Sequence, residues 1–445
     1  MPVFLRKFLI TAAALILCLV FSGCNVLEMD TEALMKPPVF TEEQEKLNAA
    51  LTEVIGESYV LRYPKTGELN SAFIFKDLDG DGTEEAMAFY SVFDESTRIN
   101  ILKKTGESWV SVYEAAGFYG DIESVNFAKI EEKGSAIVIK WEQEVGIYRY
   151  ENERLENIHN DSCEGAEITD LDGDGINELI IISKNPMGRN TLKIVYSSEK
   201  EVFVTDDISV HADYPNIYSK GFGKISEEKG VFFIDSEISE GVYLTEMIAL
   251  EGENAKRLFI SDFMEKEEDE NKKENEEESV IVVVGGNYGK RGIFLRNTKV
   301  ACMDINGDGI VEMPVEIRED YAQNKSSEIF FLQYMHFNGE KSEPVWNGVA
   351  NTESGYLFAV PEKWNEKITA KFGSSPDSFV FSENKSGKAV LEIFAVSKND
   401  YQDKYEDYIL AAKDETKNYY VKILVGQESE FYLAPETISE NFIFI

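Results

Sequence analysis

The sequence predicts a mainly β chain: a β-propeller of five blades, with six or seven as the alternatives, followed by a small α+β domain with an antiparallel sheet. Three observations predict it. A nine-residue acidic loop recurs three times, each copy preceded by chain that reads as extended. The first two copies start 93 residues apart, at Asp77 and Asp170, and two degenerate copies start 95 apart, at Phe127 and Phe222. Half of that unit is about 47 residues, the size of a four-stranded blade. After Trp346 the loop no longer recurs.

Composition bounds the partners. The 445 residues include 82 Asp+Glu against 44 Lys+Arg, a formal net charge of −38, and 43% are hydrophobic, enough for real cores in two or three domains. Such an acidic chain argues against DNA or RNA as a partner, because affinity for phosphate backbones rests on Lys and Arg displacing counterions.

Taken in order, residues 1–23 read as an export signal. Arg6 and Lys7 precede the apolar run Phe8 to Phe21, which is too short for a bilayer span of about 20 residues, and Ser22-Gly23-Cys24 follows. The Cys after Ser-Gly resembles a bacterial lipobox, with Phe21 where Leu, Val or Ile is usual. That resemblance implies a lipoprotein signal peptide, lipidation of Cys24 and a lipid-anchored protein on the extracytoplasmic face of a bacterial membrane. Residues 24–40 contain Pro37-Pro38 and read as a tether. Over 41–56, Thr41 and Gln44 form a capping box, Leu47, Leu51, Val54 and Ile55 share a face, and Gly56 stops the amphipathic helix.

Residues 57–349 are the expected propeller. The candidate metal ligands are Asp77, Asp79, Asp81, Thr83 and Glu85 in the first loop. They are Asp170, Asp172, Asp174, Ile176 and Glu178 in the second, and Asp304, Asn306, Asp308, Ile310 and Glu312 in the third. Acids or Asn at positions 1, 3 and 5 turn side-chain oxygens toward one point, Gly at position 6 permits a sharp turn, and position 7 offers its carbonyl. This is the donor set of a hard cation, calcium, at up to three sites. An EF-hand would need Glu at position 12, where Ala88, Ile181 and Val315 stand, so that motif is excluded. The acid at position 9 instead resembles the FG-GAP or VCBS repeat of integrin-type β-propellers. That resemblance implies calcium loops that join blades; its usual last ligand is Asp, and all three copies here have Glu.

The degenerate copies, Phe127 to Gly134 and Phe222 to Gly230, have lost the acids. The third loop starts 134 residues after the second, and the excess holds an acidic insert, 264–279, with no apolar residue between Glu265 and Glu278, which reads as disordered. Val280 to Val284 reads as a strand, and Gly286, Gly289 and Gly292 as a hairpin rather than a phosphate loop.

Residues 350–445 are the expected α+β domain. Gly355 to Pro361 is a strand leading into a short helix at Trp364, Ala389 to Val396 another strand, and Ile409 to Ala412 with Tyr419 to Val425 a hairpin. A last helical turn is expected from Pro435. The opening strand with Pro-Glu-Lys-Trp resembles a Mog1/PsbP-like fold, which implies a non-catalytic architecture.

His159, His211 and His336 are isolated, and no nucleophile elbow or Walker loop occurs. With 82 acids, any carboxylate pair can be nominated, so none carries weight. Cys163 and Cys302 are expected as buried free thiols. The functional expectation is a non-enzymatic cell-surface module that binds or assembles with an unknown protein or glycan. The alternative is an extracellular glycan-active enzyme in the propeller channel, and a third reading is an accessory subunit of an exported complex.

Overall fold

The computed structural model describes residues 40–93, 96–131, 135–198, 201–210, 216–227, 229–258, 295–317, 331–337, 342–374, 377–400, 405 and 408–445. The expected signal peptide, Cys24, most of the tether, the acidic insert 264–279 and the Val280 to Val284 strand lie outside the described residues.

The helix Glu42–Ile55 opens the described chain. Gln44 N donates to Thr41 Oγ1 at 3.3 Å and Thr41 N donates to Gln44 Oε1 at 3.0 Å, the reciprocal bonds of a capping box. Leu47 and Leu51 are buried, whereas Val54 is 58% exposed, so the apolar face is narrower than expected.

Six antiparallel sheets follow. The first contains β1 (Val60–Arg62), β2 (Phe73–Lys76), β3 (Glu85–Ser91), β4 (Arg98–Thr105) and β5 (Ser108–Ala116), with β1 and β2 pairing in succession along β3. The second is the meander β6 (Ile122–Ala128), β7 (Ala136–Trp141), β8 (Glu144–Glu151) and β9 (Arg154–Ser162). The third has β10 (Gly165–Thr169), β11 (Glu178–Lys184), β12 (Asn190–Ser198), β13 (Glu201–Val204) and β14 (Ile208–Ser209). The fourth has β15 (Asn216–Ser226), β16 (Lys229–Ser239), β17 (Val242–Glu251), β18 (Asn254–Arg257) and β19 (Leu295–Arg296). The fifth has β20 (Met313–Ile317), β21 (Phe331–Phe337), β22 (Ser342–Asn351) and β23 (Tyr356–Ala359). The sixth is ordered β24 (Ile368–Phe372), β25 (Ser378–Glu383), β26 (Ala389–Ser397), β28 (Lys417–Ile423) and β27 (Ile409–Lys413). The last strand, β29 (Phe442–Phe444), returns to the edge of the fifth sheet beside β23.

Successive sheets share apolar cores, which explains the unbroken apolar runs after the acidic loops. On β11, Leu179 and Ile181 pack with Val138 and Ile147 of the second sheet, while Ile180 and Ile182 pack with Phe232 and Ile248 of the fourth. A strand covered on both faces has no solvent side and therefore no alternation. On β3, Met87 and Phe89 face Ile137 and Trp141 of the second sheet, and Ala86, Ala88 and Tyr90 face Leu47 and Leu51 of the helix. Met313 and Phe337 join the fifth sheet to the fourth, and Val349 and Phe358 join it to Phe379 and Ile393 of the sixth.

The five sheets thus form a stack in chain order, with the helix on the outer face of the first and the sixth sheet against the fifth. Among the described residues, no core cluster joins the fifth sheet back to the first. The expected boundary at 349/350 falls inside β22, and Tyr356, Phe358 and Phe442 of the fifth sheet share one core with the sixth. The C-terminal region holds an antiparallel sheet, and 3-10 turns at Glu362–Trp364 and Ile438–Asn441 stand where the short helix and the last helical turn were expected. Cys163 and Cys302 are buried and free, as expected.

A polar network is sealed in the fourth sheet. The wholly buried Arg296 donates from Nη2 to Asp235 Oδ1 at 2.8 Å and to Tyr218 Oη at 2.7 Å, and from Nη1 to Thr245 Oγ1 at 2.7 Å. Cys302 N donates to Asp235 Oδ2 at 3.0 Å. This ties the chain that follows the insert to β16 and β17.

Candidate metal centre

The acidic loops sit within sheets rather than between them, which corrects the expectation that they join blades. The first turns β2 into β3, closing on the pair Lys76–Glu85, and the second turns β10 into β11, closing on Thr169–Glu178. The third closes on the isolated bridge Met303–Glu312 just before β20.

All three loops are built by one set of local bonds. Asp77 Oδ1 accepts from Gly80 N at 2.8 Å and Oδ2 from Gly82 N at 3.0 Å. Asp170 accepts from Gly173 N at 2.8 Å and Gly175 N at 3.0 Å, and Asp304 from Gly307 N at 2.7 Å and Gly309 N at 2.8 Å. The glycines at positions 4 and 6 have φ between 77° and 87°, a left-handed conformation that side chains with a Cβ resist. Position 9 then reaches back: Glu85, Glu178 and Glu312 accept from the backbone N–H of Leu78 at 3.0 Å, Leu171 at 2.6 Å and Ile305 at 3.0 Å.

In the first loop Asp77, Asp79 and Glu85 each bring a carboxylate oxygen within 4.8 Å of the others, and in the second Asp170, Asp172 and Glu178 do the same. In the third, the Asn306 amide donates to Asp308 Oδ2 at 2.9 Å and accepts from Asp308 N at 3.0 Å, and the Asp304 and Asp308 charges act on Glu312. The acids at position 5 each use one oxygen to hold the turn. Asp81 accepts from Thr83 N, Asp174 from Ile176 N and Asp308 from Ile310 N, at 2.7 to 2.8 Å.

Electrostatically these are costly arrangements without a cation. Burial, helped by the neighbouring Asp charges, pushes the Glu178 carboxyl up to about 8. Burial likewise raises Glu85, Asp172 and Glu312. Glu85 Oε1 and Glu312 Oε1 are buried with no hydrogen-bond partner, although both side chains are wholly buried. An all-oxygen set with orphaned carboxylate oxygens fits a hard divalent cation. Glu178 must give up its proton before it can coordinate. Titrating such a cation at pH 7 should therefore release close to one proton per second loop filled, read as a binding heat that changes with buffer ionisation heat. A heat independent of the buffer would contradict the raised carboxyl.

Sequence reasoning missed what lies across the strand from each closing Glu. Continuing the registers by one residue places Lys103 opposite Glu85, Tyr196 opposite Glu178 and His336 opposite Glu312. Lys103 Nζ lies 3.3 Å from Asp79 Oδ2, 3.1 Å from Asp81 Oδ2 and 3.5 Å from Glu85 Oε1. A signal was present, since Lys103 and Tyr196 both stand 18 residues after their Glu. The degenerate copies also have a role: Asn177 N donates to Lys129 O at 2.7 Å and Val311 N to Lys224 O at 2.8 Å, so each docks the intact loop of a later sheet.

No family model and no curated protein matches the chain. Among solved structures, the crystal structure of the Saccharomyces cerevisiae Sqt1 is similar over 80% of this chain and 98% of its own, at 8% identity and a TM-score of 0.27. A likeness at that score carries no argument here.

Proposed function

We propose that the chain is a lipid-anchored, non-enzymatic binding or assembly module on the extracytoplasmic face of a bacterial membrane, built on a calcium-stabilised array of five propeller-type blades. The observation that carries this reading is the array: five successive antiparallel sheets, each packed on the next, with three acidic loops of one bonding pattern. Calcium is the ion that suits all-oxygen, partly buried loops with extracellular exposure. The helix and the sixth sheet act as caps on the terminal blades, covering apolar faces that an open array would leave wet. The anchor rests on Arg6, Lys7, the run Phe8 to Phe21 and Cys24. Among the described residues no helix is long and apolar enough to cross a membrane.

Two hollows among the described residues could take part in binding. One lies between the helix and β1, lined by Asn48, Thr52, Tyr59 and Leu61, and the other lies beside the chain end, lined by Thr352, Asp414, Lys417 and Phe444. Both are open to solvent and peripheral to the stack. Labelled fatty acid should enter the wild type and not Cys24→Ala, and crosslinking from intact cells should capture a discrete partner in calcium and less of it in chelator. Equal labelling of both proteins removes the anchor, and turnover of a glycan by the purified protein replaces this reading with the enzyme.

A further inference from the structure

We infer that the three loops are not equivalent: Lys103 fills the cation position of the first loop with its own ammonium, and only the second and third loops take a divalent cation. This rests on the calcium reading above and concerns how many ions the chain holds and where. The first loop gathers Asp79, Asp81 and Glu85 around Lys103 Nζ at 3.1 to 3.5 Å, so the orphaned oxygen of Glu85 already faces a positive charge. A dication entering the same cluster would meet that charge at contact distance, and like charges so close repel strongly at the partly buried site. Lys103 would have to leave three carboxylates to make room.

The equivalent side chains leave the other loops free of an ammonium. Tyr196 carries no charge to offer the second loop, and its ring stacks on Phe203, centroids 5.8 Å apart. Lys129 approaches the second loop, but its Nζ bonds to the Gly175 carbonyl at 3.1 Å and not to a carboxylate. At the third loop, His336 Nε2 is 3.1 Å from Ile225 O. There the buried Oε1 of Glu312 has no hydrogen-bond partner, and the neighbouring groups that act on it are Asp304, Asp308 and the His336 ring rather than an ammonium. The three loops therefore share a backbone frame and differ in one cross-strand residue, Lys, Tyr or His, which decides whether the frame carries its own counterion.

Equilibrium dialysis of the full chain against radioactive calcium at a few millimolar tests this. The wild type should bind two ions. Asp79→Asn should still bind two, and Asp172→Asn should bind one. Lys103→Gln should gain a third ion, and Lys103→Gln combined with Asp79→Asn should return to two; the ions retained by the other loops report that each variant is folded. Three ions on the wild type, a drop to one in Asp79→Asn, or no gain in a Lys103→Gln protein that keeps its two ions would each overturn the inference alone. No ion on any of the proteins would overturn the calcium reading and this inference with it.

Discussion

Asp235→Ala should destabilise the protein by about 3 to 5 kcal/mol, read as a fall in the urea midpoint, because it removes a wholly buried carboxylate that pairs with Arg296 and accepts two further bonds. The Asp235 and Arg296 side chains are wholly buried, and Asp235 also accepts from Cys302 N and Thr245 Oγ1. Burial works against the charge on Arg296, and Asp235 holds it charged. Removing the carboxylate takes this counter-charge from a buried cation and deprives Cys302 N and Thr245 Oγ1 of their acceptor. Arg296→Met together with Asp235→Ala should recover part of the loss, since replacing both partners removes the isolated charge. A loss under about 1 kcal/mol in Asp235→Ala would mean that water reaches Arg296 in the folded state.

Chelation should lower the melting temperature. Extracellular calcium modules have dissociation constants of ~0.1 to 1 mM. At about 1 mM calcium and a constant of ~0.1 mM, linkage contributes roughly 1.4 kcal/mol per filled loop, hence about 3 kcal/mol for two. Asp172→Ala should remove about half of the calcium-dependent part. The C-terminal sheet has no acidic loop of its own, but it shares its core with the fifth sheet through Phe358 and Phe381 and should unfold in the same transition. The pH sign follows from Glu178. Its folded value, about 8, lies above its unfolded one, so the ion-free folded state binds more protons across that window. In chelator the melting temperature should therefore rise as pH falls from about 8 toward 5. An unchanged melting temperature in chelator and in millimolar calcium would reduce the loops to acidic turns.

The acidic loops were legible because their geometry is local. Asp at position 1 and Gly at positions 4 and 6 build the turn from bonds spanning three to five residues, so Asp77, Asp170 and Asp304 could be named without a fold. The capping box at Thr41 was legible for the same reason. The antiparallel β character was legible as well, because extended segments recur between turn signals.

What decided the rest was register and face, which depend on residues far apart in the chain. Lys103 reaches Asp79 only because Ala86 pairs with Leu102, and a shift of one residue would turn it to the other face of the sheet. The outer face of the first sheet is covered by the helix because Ala86 and Ala88 leave room for Leu47 and Leu51. β29 completes the fifth sheet after some 80 residues of intervening chain, a pairing that no local pattern encodes. The sequence by itself determined the acid ladder and where each turn falls, since short-range hydrogen bonds and glycine φ angles specify them. Only the tertiary structure decided which loop meets an ammonium and which faces are capped, because those contacts are set by strand register and by the burial of apolar faces against distant partners.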